Sequence, residues 1–443
     1  MLFQRPSRLS TRKSGIQCKR LIVFHNGSHR RVILLCRSRF AIFALSISLR
    51  VLASWQVAHN RPIPRFWHQS EVGSIAKSIV ERRGFASPYD ERQPTAWIAP
   101  IYPCVVAFVF RIFGTFSAAS TYFLVSLNIL FAGLTSVAVY ATGERVFGAN
   151  VGTFAGLLWA FCLPDAVMPL LIWDTCLSAL LLTTGFLLSL ALEHSSSYRQ
   201  WGGAGLFWGG ACLVNPSLIA PLFFFWVFFW LCGWKSGKNL WRQATLSVVL
   251  FLGVLGPWLV RNYRVFGKPV FVRSNLAAEL YFGNLGFDSH PFSPTMEYQR
   301  LGEMAYVAEK RQLVLQYVEN NFSDFAKRSL YRVVEFWTVP RIAQPYWTVM
   351  SLLCFAGLIL AFREDRFKAV PFLIVFLTYP IVYYVSYVFP KYRHPIEPLM
   401  MVLSAYALVT TIHFGRQRIW ESRRALRPPV VERNKFRPGS KSR

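Results

Sequence analysis

Charged residues are scarce in this sequence. Asp, Glu, Lys and Arg make up 16% of its 443 residues, whereas they supply about a quarter of an ordinary soluble domain. Hydrophobic residues reach 53%, and they occur in runs of about 17 to 25 residues, the length that a helix needs to cross ~30 Å of hydrocarbon. This composition excludes an ordinary soluble protein and indicates a chain that crosses a membrane several times.

Acidic residues are especially few, with 21 Asp and Glu against 49 Lys and Arg, a formal charge of +28. In a soluble protein this excess would suggest a nucleic-acid partner. Here the excess is concentrated at the two ends: residues 1–40 contain ten Lys or Arg and no acid, and residues 415–443 contain ten against two. Such clusters keep their flanks in the cytoplasm and contact anionic lipid. We therefore expect both termini inside and no nucleic-acid partner.

The sequence also lacks the cysteine patterns of metal sites. Its eight cysteines form no CxxC or Cys/His spacing, and most lie in apolar runs, where a thiol serves as a small packing group. No tight carboxylate cluster is evident, so the sequence predicts no metal and no other cofactor, although it leaves a divalent ion open. No cleavable signal peptide precedes the first apolar run, and the first helix is expected to remain as an anchor.

Hydropathy predicts an all-α polytopic chain with about ten transmembrane helices. With the basic N-terminus inside, the parity closes only if residues 97–116 do not cross. This stretch contains Pro100, Pro103 and Arg111, so we expect it to lie at the outer interface or to re-enter. The predicted spans are about 39–57, 119–142, 151–167, 171–192, 201–217, 218–234, 243–260, 346–362, 369–387 and 394–414.

Three parts follow from this topology: a basic cytoplasmic tail over residues 1–38, a membrane domain over 39–414, and a second basic tail over 415–443. The membrane domain has two long outer segments, 58–118 and 261–345. Apolar residues recur at helical spacing between residues 297 and 337 beneath charged neighbours. This pattern predicts amphipathic helices that lie along the membrane surface and cover a site.

The first outer segment contains the best candidate for chemistry. Glu71 begins a short predicted helix, which Gly84 ends. A carboxylate at the mouth of a lipid-lined cavity can take a proton from an acceptor hydroxyl or amine. The alternative interpretation is an acid that only caps the helix, and the residues alone leave both open.

Several motifs together carry a family resemblance. Residues 94–103 read Pro-Thr-Ala-Trp-Ile-Ala-Pro-Ile-Tyr-Pro, residues 256–267 read Gly-Pro-Trp-Leu-Val-Arg-Asn-Tyr-Arg-Val-Phe-Gly, and residues 391–398 read Lys-Tyr-Arg-His-Pro-Ile-Glu-Pro. Together with Glu71 and the Tyr-Phe-Gly-Asn run at 281–284, they resemble bacterial C-type integral-membrane glycosyltransferases. That superfamily includes protein mannosyltransferases and aminoarabinose transferases. The resemblance covers about residues 40–414.

The resemblance implies a C-type fold and an enzyme that takes a sugar from a polyprenyl-phosphate carrier. It would transfer the sugar to a protein, lipid or glycan on the outer face of a bacterial inner membrane. The family's catalytic acid maps to Glu71. The leaving group is a lipid phosphate, and its charge needs fixed cations. We expect Arg393 and Arg261 to bind that phosphate, with Tyr392 bonding it or lining the cavity, while Lys391 assists or contacts head groups.

Further residues are candidates for lining the site. Where many relatives carry an Asp-Glu pair, this sequence has His68 and Gln69, so His68 is an alternative base. Asp174 matches a position that is often acidic in the family, although helix capping is an equal alternative. Trp97, Tyr102 and Asn284 fall within the motifs and are expected to line the cavity.

A transporter or flippase of lipid-linked glycans is the alternative class of function. Such a protein is expected to place ionisable groups near the bilayer midplane and often to consist of two similar halves. Here Arg50 is the only charge near the middle of a predicted span, and the sequence shows no internal repeat. The sequence therefore favours chemistry at one membrane surface. It does not specify the sugar, the acceptor or the carrier length.

Overall fold

Helices make up most of the part of the chain that the structure describes. Apart from a single backbone bridge between Ala86 and Pro94, no β-structure occurs in that part. The predicted all-α class is therefore confirmed. Most of the two basic tails falls outside the described residues. In this computed structural model, those residues are 39–60, 70–193, 195–286, 296–338 and 345–425.

The helices of the two outer segments form two groups, which interrupt the series of apolar helices. Single helical turns at Ile381–Val385 and Pro390–Arg393 precede the last long helix. The helices in chain order are α1 (Arg39–Asn60), α2 (Glu71–Val80), α3 (Ile101–Phe113), α4 (Ala118–Phe147), α5 (Ala149–Ala160), α6 (Thr175–Leu190), α7 (Tyr198–Val214), α8 (Ile219–Lys235), α9 (Trp241–Phe266), α10 (Leu276–Asn284), α11 (Met296–Leu301), α12 (Glu303–Asn320), α13 (Phe322–Thr338), α14 (Pro345–Glu364), α15 (Arg366–Thr378) and α16 (Glu397–Ala425).

A helix lies at each of the ten positions predicted to cross the membrane. Among the described residues, seven helices are long and apolar enough to cross: α1, α4, α8, α9, α14, α15 with its following turn, and α16. An eighth candidate is α5 with the segment Pro164–Leu170, bent by 65°. The helices α6 and α7 are shorter, with 16 and 17 residues. The chain is therefore a multi-pass membrane protein, and the count of ten stays a prediction.

The helix α3 occupies the stretch that the topology required not to cross. Its 13 residues, mostly apolar but including Arg111, extend ~20 Å at 1.5 Å per residue, which is too short for ~30 Å of hydrocarbon. Gly114 ends the helix with a positive φ of 91°, a conformation that glycine adopts without steric cost. The length of α3 agrees with an interfacial or re-entrant course.

Close helix packing holds the bundle together. The helix α7 packs along α9, and α14 packs along α16. Glycines permit these contacts: a Cβ at Gly205 would lie 2.1 Å from the carbonyl oxygen of Ser247, and one at Gly357 would lie 2.0 Å from that of Leu403. In lipid, small residues of this kind let helix backbones approach and gain van der Waals contact. Buried aromatics such as Trp208 fill the remaining space.

A second hydrophobic core lies where the two outer segments meet. Val72 and Ile75 of α2 and Trp97 come from the first outer segment, whereas Tyr298 and Tyr306 come from the second. The site described below is built on this core. Because both segments contribute side chains to this core, the packing of each depends on the other.

The predicted amphipathic run forms the three helices α11, α12 and α13. The helix α13 buries Arg332 and Glu335 while it exposes Leu330 and Val334. An apolar face turned outward in this way is typical of a helix that rests on lipid.

The glycine contacts lead to a paired test on α7. Replacing Gly205 with Ala should lower the melting temperature, because the new methyl group meets the backbone of α9 and such overpacking costs about 1 to 3 kcal/mol. Gly210→Ala lies on the same helix and has nothing within 4 Å of the new Cβ, so its melting temperature should match the wild type. Thermal unfolding in detergent measures both, and equal effects of the two substitutions would contradict the close approach of α7 and α9.

Candidate active site

Glu71 lies at the first position of α2, but it does not cap that helix. The cap is Ser70, whose Oγ accepts a hydrogen bond from the backbone N–H of Gly73 at 3.1 Å. The carboxylate of Glu71 turns instead towards the loop that follows. There it accepts hydrogen bonds from Trp97 Nε1 at 2.8 Å and from the Tyr89 hydroxyl. These two hydrogen bonds fix the orientation of the Glu71 carboxylate.

Trp97 is positioned by packing and not by a ligand. Its side chain is only 2% exposed, and its ring contacts those of Tyr89 and Tyr298 at centroid distances of 5.5 and 5.6 Å. A ring so enclosed has no open face for a sugar. Trp97 therefore reaches the site through its indole N–H, which orients Glu71.

Glu279 on α10 is a second carboxylate near Glu71. It accepts hydrogen bonds from Asn275 Nδ2 at 2.6 Å and from the Tyr387 hydroxyl, and Arg273 Nη2 lies 3.9 Å from its Oε1. Burial raises the pKa of Glu279, the charge of Glu71 acts in the same direction, and Arg273 opposes both. A buried carboxylate with a perturbed pKa beside a second acid is a candidate for function.

Two cations face these acids from different parts of the chain. Arg273 donates from Nε to the carbonyl oxygen of Trp97 at 3.1 Å. Lys391 lies over the rings of Trp173 and Tyr392, with its Nζ at 4.4 and 5.1 Å from the centroids. The Lys391 ammonium is within electrostatic range of Glu71, Glu279 and Asp174. Opposite charges from four separate segments therefore meet at one place.

Asp174 and Tyr392 belong to the same cluster. Asp174 precedes α6 and accepts a hydrogen bond from Ser178 Oγ at 2.9 Å. The Tyr392 hydroxyl donates to that of Tyr387 at 3.4 Å, and Tyr387 in turn bonds Glu279. Both residues were expected at the site, and the structure places both beside Lys391.

Arg393 does not face this cluster. Its side chain is fully buried and donates to the carbonyl oxygens of Trp337 at 3.1 Å and Trp347 at 3.3 Å, while Nε lies 3.3 Å from Glu397 Oε1. These contacts tie the end of α13 and the start of α14 to α16. The expectation that Arg393 binds the donor phosphate therefore conflicts with this geometry, because its donors point into the protein.

Arg261 is also engaged with the protein itself. Its guanidinium donates to the carbonyl oxygens of Thr95 at 2.7 Å and Phe85 at 3.1 Å, and it lies 4.8 Å from the ring centroid of Trp258. The first outer segment thus takes up the donors that were expected to bind phosphate. Arg261 therefore stabilises the backbone of the first outer segment.

Tyr102 and Asn284 serve packing in the described structure. Tyr102 is buried and donates to Asn128 Oδ1 at 3.3 Å. Asn284 donates to the carbonyl oxygen of Val385 at 2.9 Å and accepts from Arg332 at 3.0 Å. Both were expected to line the site, but these hydrogen bonds do not involve Glu71, Glu279 or Lys391. His68 lies outside the described residues, so its role stays a prediction.

A buried ionic group lies beside the site. Asp165 Oδ1 and Glu397 Oε2 lie 3.1 and 3.2 Å from His394 Nδ1, and within the described part of the chain only these three residues have ligand atoms spaced for a metal. Arg393 pairs with Glu397, and the charge of Arg50 is in range of Asp165. Two guanidinium groups therefore lie within range of the two carboxylates.

The fold and this site can now be compared with known proteins. Residues 95–260 match the family model described as dolichyl-phosphate-mannose-protein mannosyltransferase. The structure is similar to ArnT from Cupriavidus metallidurans bound to undecaprenyl phosphate, with a TM-score of 0.52 and 17% identity over 90% of this chain. It is also similar to the oligosaccharyltransferase AglB from Archaeoglobus fulgidus in complex with an inhibitory peptide and a dolichol-phosphate, with a TM-score of 0.53 and 14% identity over 90% of this chain.

These similarities establish the fold. The chain has the architecture of the C-type membrane glycosyltransferases, as the sequence resemblance predicted. It spans 64% of the length of ArnT and 52% of AglB. No curated protein matches the sequence.

The buried carboxylate of Glu279 gives a test by pH. Because its pKa is raised in the folded state, the charged form disfavours folding, so this stability penalty is absent below the ordinary pKa and grows as pH rises through the folded value. Glu279→Gln removes the penalty. Its melting temperature relative to wild type should therefore be higher at pH 7 than at pH 4. The exposed Glu319, replaced by Gln, should show the same small difference at both pH values, and equal pH trends for the two variants would contradict the burial of charge at Glu279.

Proposed function

We propose that this protein is a membrane glycosyltransferase that moves a sugar from a polyprenyl-phosphate carrier to an acceptor on the outer face of the membrane. The observation that carries the proposal is the meeting of Glu71 with the cations Arg273 and Lys391, which come from three separate segments. The similarity to structures that hold undecaprenyl phosphate and dolichol-phosphate supports a lipid-linked donor.

Glu71 is the base of the proposed reaction. The acceptor oxygen or nitrogen attacks the anomeric carbon of the donor while its proton passes to the Glu71 carboxylate. The bond between that carbon and the phosphate oxygen breaks, and the carrier phosphate leaves with the electron pair. Trp97 and Tyr89 orient the base through their hydrogen bonds. A single displacement of this kind inverts the anomeric centre.

Lys391 and Arg273 are the proposed ligands of the leaving phosphate, in place of Arg393 and Arg261. Fixed cations stabilise the negative charge that develops on the phosphate. Without a donor, the two cations face the carboxylates of Glu279, Glu71 and Asp174. The phosphate therefore enters a site whose cations are already ordered, so little reorganisation is needed.

In this proposal the chemistry takes place on the non-cytoplasmic side of the membrane. Both basic termini lie in the cytoplasm in this proposal, and the membrane is the inner membrane of a bacterium. The acceptor is a protein, a lipid or a growing glycan. The alternative of a transporter or flippase has no comparable support: Arg50, the one charge near the middle of a predicted span, is buried and bonds Ser46 and the carbonyl oxygen of Trp159.

Loss of the base gives the first test of the proposed function. Glu71→Gln should lower turnover by roughly 10²- to 10⁴-fold, the usual contribution of a positioned general base. Purified protein in nanodiscs is supplied with radiolabelled polyprenyl-phosphate sugars and a membrane extract as acceptor, and transferred label is counted. Glu81→Gln, at the other end of α2, keeps the helix and should retain wild-type turnover. Equal turnover of wild type and Glu71→Gln would refute Glu71 as the base.

The cations give a second test. Arg273→Gln and Lys391→Gln should each weaken the binding of undecaprenyl phosphate by roughly 10- to 100-fold, since a hydrogen bond to a charged group contributes about 1.5 to 3 kcal/mol. Lys268→Gln, an exposed residue at the end of α9, serves as the control for a lost surface charge. Binding is measured with purified protein in detergent. Losses no larger than that of Lys268→Gln would contradict the assignment.

A further inference from the structure

One peptide group of the first outer segment lies between two opposite charges. The carbonyl oxygen of Thr95 accepts from Arg261 Nη1 at 2.7 Å. The N–H of the same peptide group, on Ala96, donates to Glu303 Oε1 at 2.8 Å. The guanidinium and the carboxylate therefore hold the peptide between Thr95 and Ala96 from its two sides. We name this arrangement the peptide clamp.

Glu303 is built into the clamp by several contacts. It lies at the start of α12 and is 3% exposed. Besides Ala96, its carboxylate accepts hydrogen bonds from Ser274 Oγ at 2.7 Å, Tyr298 at 2.8 Å and the Thr95 hydroxyl. All of these donors are neutral. A buried charge is costly unless it is hydrogen-bonded and compensated, and Arg261 supplies the opposite charge across the peptide.

The clamped peptide lies directly beside the chemistry. Trp97, next to Ala96, donates to Glu71. Ser274, another partner of Glu303, is the neighbour of Arg273, and its own N–H donates to the carbonyl oxygen of Ala96 at 2.9 Å. The same short segment therefore fixes both the partner of the proposed base and a cation of the proposed phosphate site.

We propose that Glu303 and Arg261 are positioning residues. By clamping the peptide between Thr95 and Ala96, they hold Trp97 against Glu71 and keep Arg273 beside Glu279. This proposal rests on the proposed function for its catalytic consequence. Neither residue touches substrate. Their effect on rate arises because a displacement of about 1 Å at a catalytic group can cost ~10²-fold.

The test replaces Glu303 with Gln, which keeps the shape of the side chain and removes its charge. The matched control is Glu309→Gln on the same helix, where the acid is 40% exposed and pairs with Lys310. Two quantities are measured on the full-length protein in nanodiscs. One is amide hydrogen exchange in the fragment that contains Ala96, and the other is sugar transfer, analysed as kcat and as KM for the donor.

Three results are expected for Glu303→Gln at a temperature where it is folded. Exchange at Ala96 becomes at least ~10-fold faster, kcat falls by ~10²-fold, and KM for the donor rises. KM rises because Arg273, a proposed ligand of the carrier phosphate, is no longer held in place. Partial unfolding alone would lower kcat by reducing the amount of active enzyme and would leave KM unchanged. Glu309→Gln should match the wild type in all three.

A double variant tests the proposal even if the single variants are unstable. In Glu303→Gln with Arg261→Gln both charges are absent, so its loss of melting temperature should be smaller than the sum of the two single losses. Additive losses, unchanged exchange at Ala96 or an unchanged KM for the donor would each overturn the proposal. If the wild type transfers no sugar from any donor, the proposed function fails, while the exchange and melting measurements, which need no donor, still decide whether the clamp exists.

Discussion

The contact between the two outer segments at residues 95–97 joins the proposed base to one of the cations of the site. Through this segment Trp97 reaches Glu71, Arg273 is bonded to the carbonyl oxygen of Trp97, and the charges of half-buried Arg261 and buried Glu303 compensate each other. Backbone groups removed from water must be hydrogen-bonded, and here most of their partners come from the second outer segment. The bundle supplies the platform, but the alignment of acid and cations depends on this one junction.

The sequence predicted the helices well and the site only in part. Runs of apolar residues reveal a span because lipid offers the backbone no other partner than its own helix. Glu71 could be found because it begins a short helix in an outer segment. Glu279, Arg273 and Tyr387 were missed, although Glu279 lies just before the Tyr-Phe-Gly-Asn run at 281–284. Nothing local distinguishes them from ordinary loop residues, and their meeting with Glu71 depends on tertiary contacts across two hundred residues or more.

The arginines show why charge position alone is a poor guide. Arg393 and Arg261 stand near the outer ends of helices, where a phosphate ligand was expected. Each instead donates to backbone carbonyl oxygens of neighbouring segments. A guanidinium offers five donors in a rigid fork, so it satisfies several carbonyls at once and is as useful for closing a loop as for binding an anion. Lys391, with one compact charge and aromatic neighbours, lies at the cluster instead.

The order of these residues along the chain has a consequence for biogenesis. The acid of the site lies in the first outer segment and Lys391 lies just before the last helix, about three hundred residues later. When the first helices have left the ribosome, Glu71 has been synthesised but Lys391 has not. The two side chains come within electrostatic range of each other only in the folded bundle. The charge cluster can therefore form only after nearly the whole membrane domain has been synthesised.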